Sequence, residues 1–213
     1  MCNYRMRHAV IIAHEDAIVQ EYAIVSGNEA GAFRLYHAPS DGTLELGVAA
    51  PLDHETADRY RLVVAAVDGG APPSTGHVTV HVTVADSNDN RPAFVDATPA
   101  TAAVREDAAV GTTVVRVTAT DADGGLNGQV RYHVDRRRST SAGGGRCHGG
   151  TDRPVSGRGG QFEVDALTGA VFTTRPLDFD VERHYELIVV AADRGQPHSL
   201  QTSAVVSIQV API

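Results

Sequence analysis

The 213-residue chain has no lysine, no tryptophan, few aromatic residues and only two cysteines, Cys2 and Cys147. Two cysteines exclude a disulfide framework and leave the redox compartment unread. All eighteen basic residues are arginine and the formal net charge is −8, so the chain lacks the basic face a phosphate-binding surface needs. Nucleic acid is therefore not an expected partner. Long apolar runs are missing as well. The start of the chain offers five consecutive apolar residues, Ala9 to Ala13. That is short of the roughly 7–15 of a secretory signal and of the ~18 of a membrane span. No signal peptide or transmembrane segment is expected in this chain, and membrane attachment would have to come from other parts of a longer protein. No Ser-His-Asp arrangement, P-loop or dinucleotide fingerprint is present, so an enzyme is not expected.

What is present is a folded, β-rich composition. The apolar fraction of 42% is ordinary for a globular chain, and its core must rest on Val, Ala, Leu and Ile. The chain also repeats itself. PLDHETADRYRLVVAAVDGGAPP (51–73) lines up with PLDFDVERHYELIVVAADRGQPH (176–198), so that Leu52/Asp53 meet Leu177/Asp178, Tyr60 meets Tyr185 and Asp68 meets Asp193. Upstream, GAFRL (31–35) has its counterpart in GQFEV (160–164). Self-similarity of this extent means two copies of one domain. Runs such as RYRLVVAAVD, HVTVHVTVAD, TTVVRVTATD and ELIVVAAD are β-branched, often alternating, and bounded by Gly, Pro, Asp and Asn. The expected fold is all-β: two tandem sandwiches of about seven strands each, with no helix.

Residues 1–17 have no evident counterpart in the second copy, so the first repeat reads as N-terminally truncated, over 18–90, after an atypical N-terminal segment. The second repeat spans 91–213, and its Gly-rich stretch 136–160 is expected to be a flexible insertion. Between the repeats lies DSNDN (86–90), two aspartates and two asparagines in five positions. A turn needs one or two such residues; this stretch has the oxygens of a ligand shell.

Further acids gather at the ends of apolar runs. Asp121 and Asp123 lie two apart at the end of an expected strand, with Asn127 following in a Gly-rich turn. Alternate strand positions would point both aspartates to one side. Asp53/Glu55 and Asp178/Asp180 share that spacing, and Asp193 ends ELIVVAAD. Two carboxylates 5 Å apart repel by roughly 3 kcal/mol at an effective dielectric of about 20. Five or more converging would be untenable without a counter-charge. Carboxylates, amide oxygens and backbone carbonyls are the hard donors that Ca²⁺ takes in six- to eightfold coordination. Setting aside the ten suspected ligand acids leaves sixteen against eighteen arginines, so the net acidity resides in this set.

These motifs resemble tandem cadherin repeats. DSNDNRPAF resembles the D-x-N-D-N-x-P-x-F signature joining consecutive repeats, and REDA (105–108), DADGGLNG (121–128), LDHE, LDFD and VVAADRGQP resemble the family's other calcium motifs, in the family's order. LDFD and GNEAGAF look closer to the large Fat, Dachsous and protocadherin types than to classical cadherins. The resemblance implies Greek-key sandwiches and an inter-repeat cluster of three calcium ions. Asp53 and Glu55 would come from the first repeat; Asp86, Asp89, Asn90 and the carbonyls of Ser87 and Asn88 from the linker; Asp121, Asp123, Asp193 and the carbonyl of Asn127 from the second repeat. Glu106, Asp178 and Asp180 would form half of a further cluster. The first repeat lacks a counterpart of Glu106, and the chain ends where a next linker would start, so it reads as a fragment of a longer array. The implied function is calcium-dependent cell–cell adhesion at the extracellular side of the plasma membrane, through other cadherin ectodomains of the same or a paired type.

Other readings compete at single motifs. A lone NDN is a turn more often than a metal site, and only the agreement of the other acidic motifs in register displaces that reading. The repeats could be a passive spacer of a receptor ectodomain. Paired acids could serve a secreted glycosidase, but no aromatic sugar platform is evident. The arginines of the insertion have no interleaved aromatics, which argues for a loop over an RNA contact. His77 and His81 share a strand face but stand ~13 Å apart at 3.4 Å per residue, too far to ligate one metal.

Overall fold

A computed structural model describes residues 9–11, 19–37, 43–95, 100–141 and 160–213. The chain divides into two compact units, Met1–Ser87 and Asn88–Ile213. Among the described residues every regular element is a strand.

The first unit contains β1 (Ala9–Ile11), β2 (Val19–Ser26), β3 (Phe33–His37), β4 (Leu44–Val48), β5 (Arg59–Asp68) and β6 (Thr75–Thr83). They form two three-stranded sheets, in the orders β1-β4-β3 and β2-β5-β6. Phe33, Leu46, Leu52, Leu62 and Val84 fill the space between the sheets, with the Phe33 ring edge-on to Tyr60 at 4.9 Å. The segment 1–17, read from the sequence as having no counterpart, contributes β1 after all. Ala9 lies beside Leu46 of β4, three apolar residues being too few to align by eye.

The second unit contains β7 (Ala93–Phe94), β8 (Ala100–Arg105), β9 (Thr113–Arg116), β10 (Ala119–Thr120), β11 (Arg131–Val134), β12 (Thr140–Ser141), β13 (Phe162–Val164), β14 (Ala170–Thr173), β15 (His184–Ala192) and β16 (Gln201–Ala211). One sheet runs β11-β15-β16-β8 with β12 also on β15; the other runs β13-β14-β9, and β10 pairs with β7. All pairs are antiparallel except β8 with β16. Setting aside the two-residue strands, the described residues of this unit hold seven strands, the number expected. β9 pairs with β14 as β1 pairs with β4, whereas β8 has no counterpart among the described residues of the first unit.

Alternation explains the core. Along β15 the side chains of Tyr185, Leu187, Val189 and Ala191 point one way, and all four are buried. They meet Phe162, Val171, Val206 and Ile208, with the Phe162 and Tyr185 rings edge-to-face at 5.0 Å.

The Gly-rich segment opens with structure where a loop was expected. Ser139 is 1% exposed; its hydroxyl donates to the Asp135 carbonyl and accepts the Ile188 N–H at 3.0 Å. That oxygen supplies a partner to the β15 backbone, and Thr140–Ser141 then pair with Glu186 and Tyr185. Residues 142–159, the rest of the expected insertion, lie outside the described residues.

The β13–β14 turn shows what short acids do in this chain. The Asp165 carboxylate accepts the N–H groups of Leu167 and Thr168 and the Thr168 hydroxyl. Gly169, at φ +68°, completes the turn where a Cβ would collide with the Val117 carbonyl. The Thr168 hydrogen bonds, with Leu167 adding to them, hold the Asp165 carboxyl below the ordinary carboxylate value. A lowered folded-state pKa means stabilisation that is present above the unfolded value and is lost as pH falls through the folded one. Asp165→Ala should therefore lower the thermal midpoint of the second unit at pH 7. Its deficit against the parent chain should vanish in scans taken below the ordinary carboxylate range. A deficit that persists undiminished at low pH would show that the turn does not rest on the ionised carboxylate.

Candidate metal centre

The i, i+2 acid pairs do not lie on strands as the sequence reading had them. Each sits in a turn just past an apolar run, and the first acid accepts the N–H of the second. Glu55 N–H donates to Asp53 Oδ1 at 3.3 Å, Asp123 N–H to Asp121 Oδ1 at 3.0 Å, and Asp180 N–H to Asp178 Oδ1 at 3.0 Å. The pairing is an Asx turn, which folds the chain back on the short side chain and brings two carboxylates together.

In the first unit, Glu55 and Asp86 lie with His54 in one group, each offering a ligand atom within 4.8 Å of the others. Thr56 donates to Asp53 Oδ2 at 2.6 Å, and this bond holds the Asp53 carboxyl below its ordinary range. His54 Nδ1 lies 2.9 Å from the Val84 carbonyl. That hydrogen bond raises the imidazole pKa, and Asp86, Glu55 and Asp58 add to it. The sequence reading missed His54, because only folding turns the ring between two acids toward the strand end. Ser87, exposed, closes the unit.

In the second unit the linker residues and the strand-end acids converge. Asn90 donates from its side chain to Asp123 Oδ1 at 2.6 Å and to Asp89 Oδ1 at 3.2 Å, and from its backbone to Asp123 Oδ2 at 3.2 Å. Asp193 accepts Gly195 N–H at 2.8 Å and Leu200 N–H at 2.9 Å. Asp123 and Asp193 are 7% and 4% exposed. Burial pushes the Asp121 carboxyl up, and the charges of Asp123 and Asp193 push it the same way. Asp121 Oδ2 and Asn88 Oδ1 are both shut off from solvent with no hydrogen-bond partner. Asn88 meanwhile donates to the His198 carbonyl at 2.8 Å, and a Cβ on Gly195 would collide with its amide. Gly195 also went unremarked in the sequence, although the repeat carries a glycine at the matching position, Gly70. In the same turn the Arg194 N–H donates to the Leu126 carbonyl, next to Asn127.

Glu106 lies apart from these acids and meets the Asp178–Asp180 turn through the backbone of that turn. The Glu106 carboxylate accepts Phe179 N–H at 3.0 Å and Ile213 N–H at 3.1 Å. Leu200, bonded to Asp193, and Ile213 flank the eleven residues of β16, so the two acid groups of this unit lie at opposite ends of that strand, ~35 Å apart.

Three buried or half-buried carboxylates with few cations near them are not a stable arrangement by themselves. A solvent-shielded carboxylate oxygen without a donor costs several kcal/mol by the usual desolvation scale unless something positive meets it. The donors around Asp121, Asp123 and Asp193 are all oxygens, which fits a hard dication such as Ca²⁺ and not a thiolate- or imidazole-seeking metal.

The cadherin domain family matches residues 14–85 and again residues 100–211. The chain belongs to the cadherin family. It is 41% identical over 197 residues to the Drosophila melanogaster protein dachsous, covering 91% of this chain and 5% of that protein. It is 39% identical over 180 residues to mouse protocadherin Fat 4, covering 83% of this chain and 3% of that protein. It thus spans a twentieth or less of the length of these relatives. Among solved structures, extracellular cadherin domains 3–6 of protocadherin gamma B2 match with a TM-score of 0.72 at 27% identity, covering 90% of this chain and 40% of that one. Domains EC22–24 of mouse cadherin-23 match with a TM-score of 0.70 at 28% identity, covering 89% and 53%. The two sandwiches are therefore cadherin repeats, of the Dachsous, Fat and protocadherin kind, a family whose repeats characteristically bind calcium and carry no catalytic site. Among the described residues no helix is long and apolar enough to cross a membrane.

Proposed function

We propose that these two cadherin repeats are a calcium-stiffened part of a large ectodomain. Through it, cells adhere by contact between cadherin ectodomains, of the same or a paired kind, at the plasma membrane. The observation that carries the reading is the shielded, donor-less Oδ2 of Asp121 beside the buried carboxylates of Asp123 and Asp193. Asn90, Asp121, Asp123 and Asp193, with the carbonyls of Asn88 and Asn127, would hold one ion. Asp53, Glu55, Asp86 and Asp89, with the Ser87 carbonyl, would serve others. Glu106, Asp178 and Asp180 would serve a further site at the far end of β16. Bound calcium supplies the positive charge that lets the acids stay ionised together, and so fixes the linker residues 86–90.

Extracellular modules of this kind bind calcium at about 10⁻⁴–10⁻³ M. Calorimetric titration should show binding in that range, and small-angle scattering should show a broader distribution of particle dimensions under chelation than with millimolar calcium. A featureless titration together with an unchanged scattering profile would overturn the ligand assignment. Beads coated with the chain, compared with and without calcium, then separate an adhesive surface from a passive spacer.

A further inference from the structure

The acid groups of the two repeats differ in one donor. Those around Asp121, Asp123 and Asp193 offer oxygen, whereas His54 brings a nitrogen to Glu55 and Asp86. One imidazole nitrogen and one oxygen of each carboxylate lie within 4.8 Å of one another, all inside the first unit. His54 and Glu55 come from the Asx turn at Asp53, and Asp86 follows two residues after Val84, just past β6.

The His54 ring is set as a ligating imidazole is set. Its Nδ1 lies 2.9 Å from the Val84 carbonyl, a bond that needs the proton on Nδ1 and so puts the neutral ring's lone pair on Nε2. Val84 is itself fixed: it is 7% exposed, and its N–H donates to the Asp58 carbonyl at 2.9 Å. A backbone carbonyl on one ring nitrogen is the common support of a histidine that binds metal through the other, because it fixes both the tautomer and the ring direction. The fold does not call for a histidine here. The matching position of the second repeat is Phe179, whose ring lies under the Arg183 guanidinium, 4.4 Å from its centroid. A hydrocarbon ring serves the fold at that place; an imidazole adds a donor.

We propose that His54, Glu55 and Asp86 form a site for a zinc-like transition dication, with Nε2 and one oxygen of each carboxylate as ligands and water completing the shell. Zinc takes imidazole nitrogen and carboxylate oxygen at about 2.0–2.2 Å in a tetrahedral arrangement, which sets ligand atoms ~3.3 Å apart. The present spread of up to 4.8 Å is within reach of side-chain rotation, since Glu55 is exposed and the other two are half-buried. Two carboxylates and a neutral imidazole balance the charge of a dication. Calcium, a hard ion, makes no use of the nitrogen. The two ions would share Glu55 and Asp86 and so exclude each other, and this part of the proposal rests on the calcium reading above. The first repeat thereby responds to a transition ion through a residue for which the second repeat has phenylalanine.

The test uses the full chain in a Cys2→Ser/Cys147→Ser background, which removes the thiolates that zinc would otherwise seek. Calorimetric titration with Zn²⁺ in calcium-free buffer should show one leading event, and the imidazole resonances of His54 should shift in step with it. His54→Phe, which installs the second repeat's own residue, should weaken that event at least about tenfold, while circular dichroism stays as in the parent. Equal binding by the two chains, no zinc event in the parent, or an event that moves only the resonances of other histidines would overturn the site. Raising calcium to several millimolar should weaken zinc binding by the parent. Zinc binding unmoved by calcium would overturn the sharing of Glu55 and Asp86, and with it their assignment to calcium, while the zinc site stands on the His54→Phe result.

Discussion

Asp193→Ala should destabilise the second repeat by about 3 kcal/mol, and more in calcium than in chelator. Both oxygens of the carboxylate accept backbone N–H groups, Gly195 in a buried bond at 2.8 Å and Leu200 in a part-buried one at 2.9 Å, and the aspartate itself is 4% exposed. Hydrogen bonds to a charged acceptor contribute about 1.5–3 kcal/mol each, and alanine would leave both donors without their partner. Against this, removing one of three crowded carboxylates relieves repulsion, since Asp193 is among the charges that push the Asp121 carboxyl up. The net loss without calcium should therefore fall below the sum of the two bonds. If Asp193 is a calcium ligand as proposed, that relief would disappear with calcium, because the ion would neutralise the crowd and the variant would forfeit a ligand as well. Urea unfolding with and without calcium measures both losses. Equal losses in the two conditions would make Asp193 a turn residue only.

Phe162→Ala should cost the second repeat about 3–5 kcal/mol, the range for deleting a fully buried phenylalanine. The ring is 0% exposed and meets Tyr185 edge-to-face, a geometry that adds to simple burial. Its repeat-mate Phe33, packed on Tyr60, sits in a smaller core. Unfolding followed by a probe in each repeat should show the Phe162→Ala effect in the second repeat, with the first repeat's transition in place. Joint movement of both transitions would mean that the two units unfold as one.

The residues that carry the fold were legible because they obey periods. β5 and β15 alternate, so their inward faces could be read directly, and the repeat confirmed each against the other. The acids were legible because charge in such density has few physical uses. Their geometry was not. Asp121 and Asp123 were read as strand neighbours on one face, whereas an Asx turn sets their direction, and side-chain-to-backbone bonds leave no period in a sequence. The same holds for Ser139, whose hydroxyl takes part in the bonding of β15 from inside a segment that looks like loop. His54 carries no signal in the sequence, because the bond to the Val84 carbonyl that sets it beside Glu55 and Asp86 spans thirty residues.

Glu106 shows how a side chain can be set before anything binds it. A glutamate free in solvent samples many rotamers, and fixing it costs on the order of 1.5–2 kcal/mol. Here Phe179 N–H holds one carboxylate oxygen and Ile213 N–H the other, so the fold has already met that cost. Each oxygen keeps a second lone pair facing away from its donor. A cation arriving at this end of the repeat would find its ligand immobile, and its arrival would be accompanied by little loss of side-chain freedom. Binding there should consequently show a small entropic penalty and a fast approach, limited by diffusion and desolvation of the ion and not by a search of the glutamate through its rotamers.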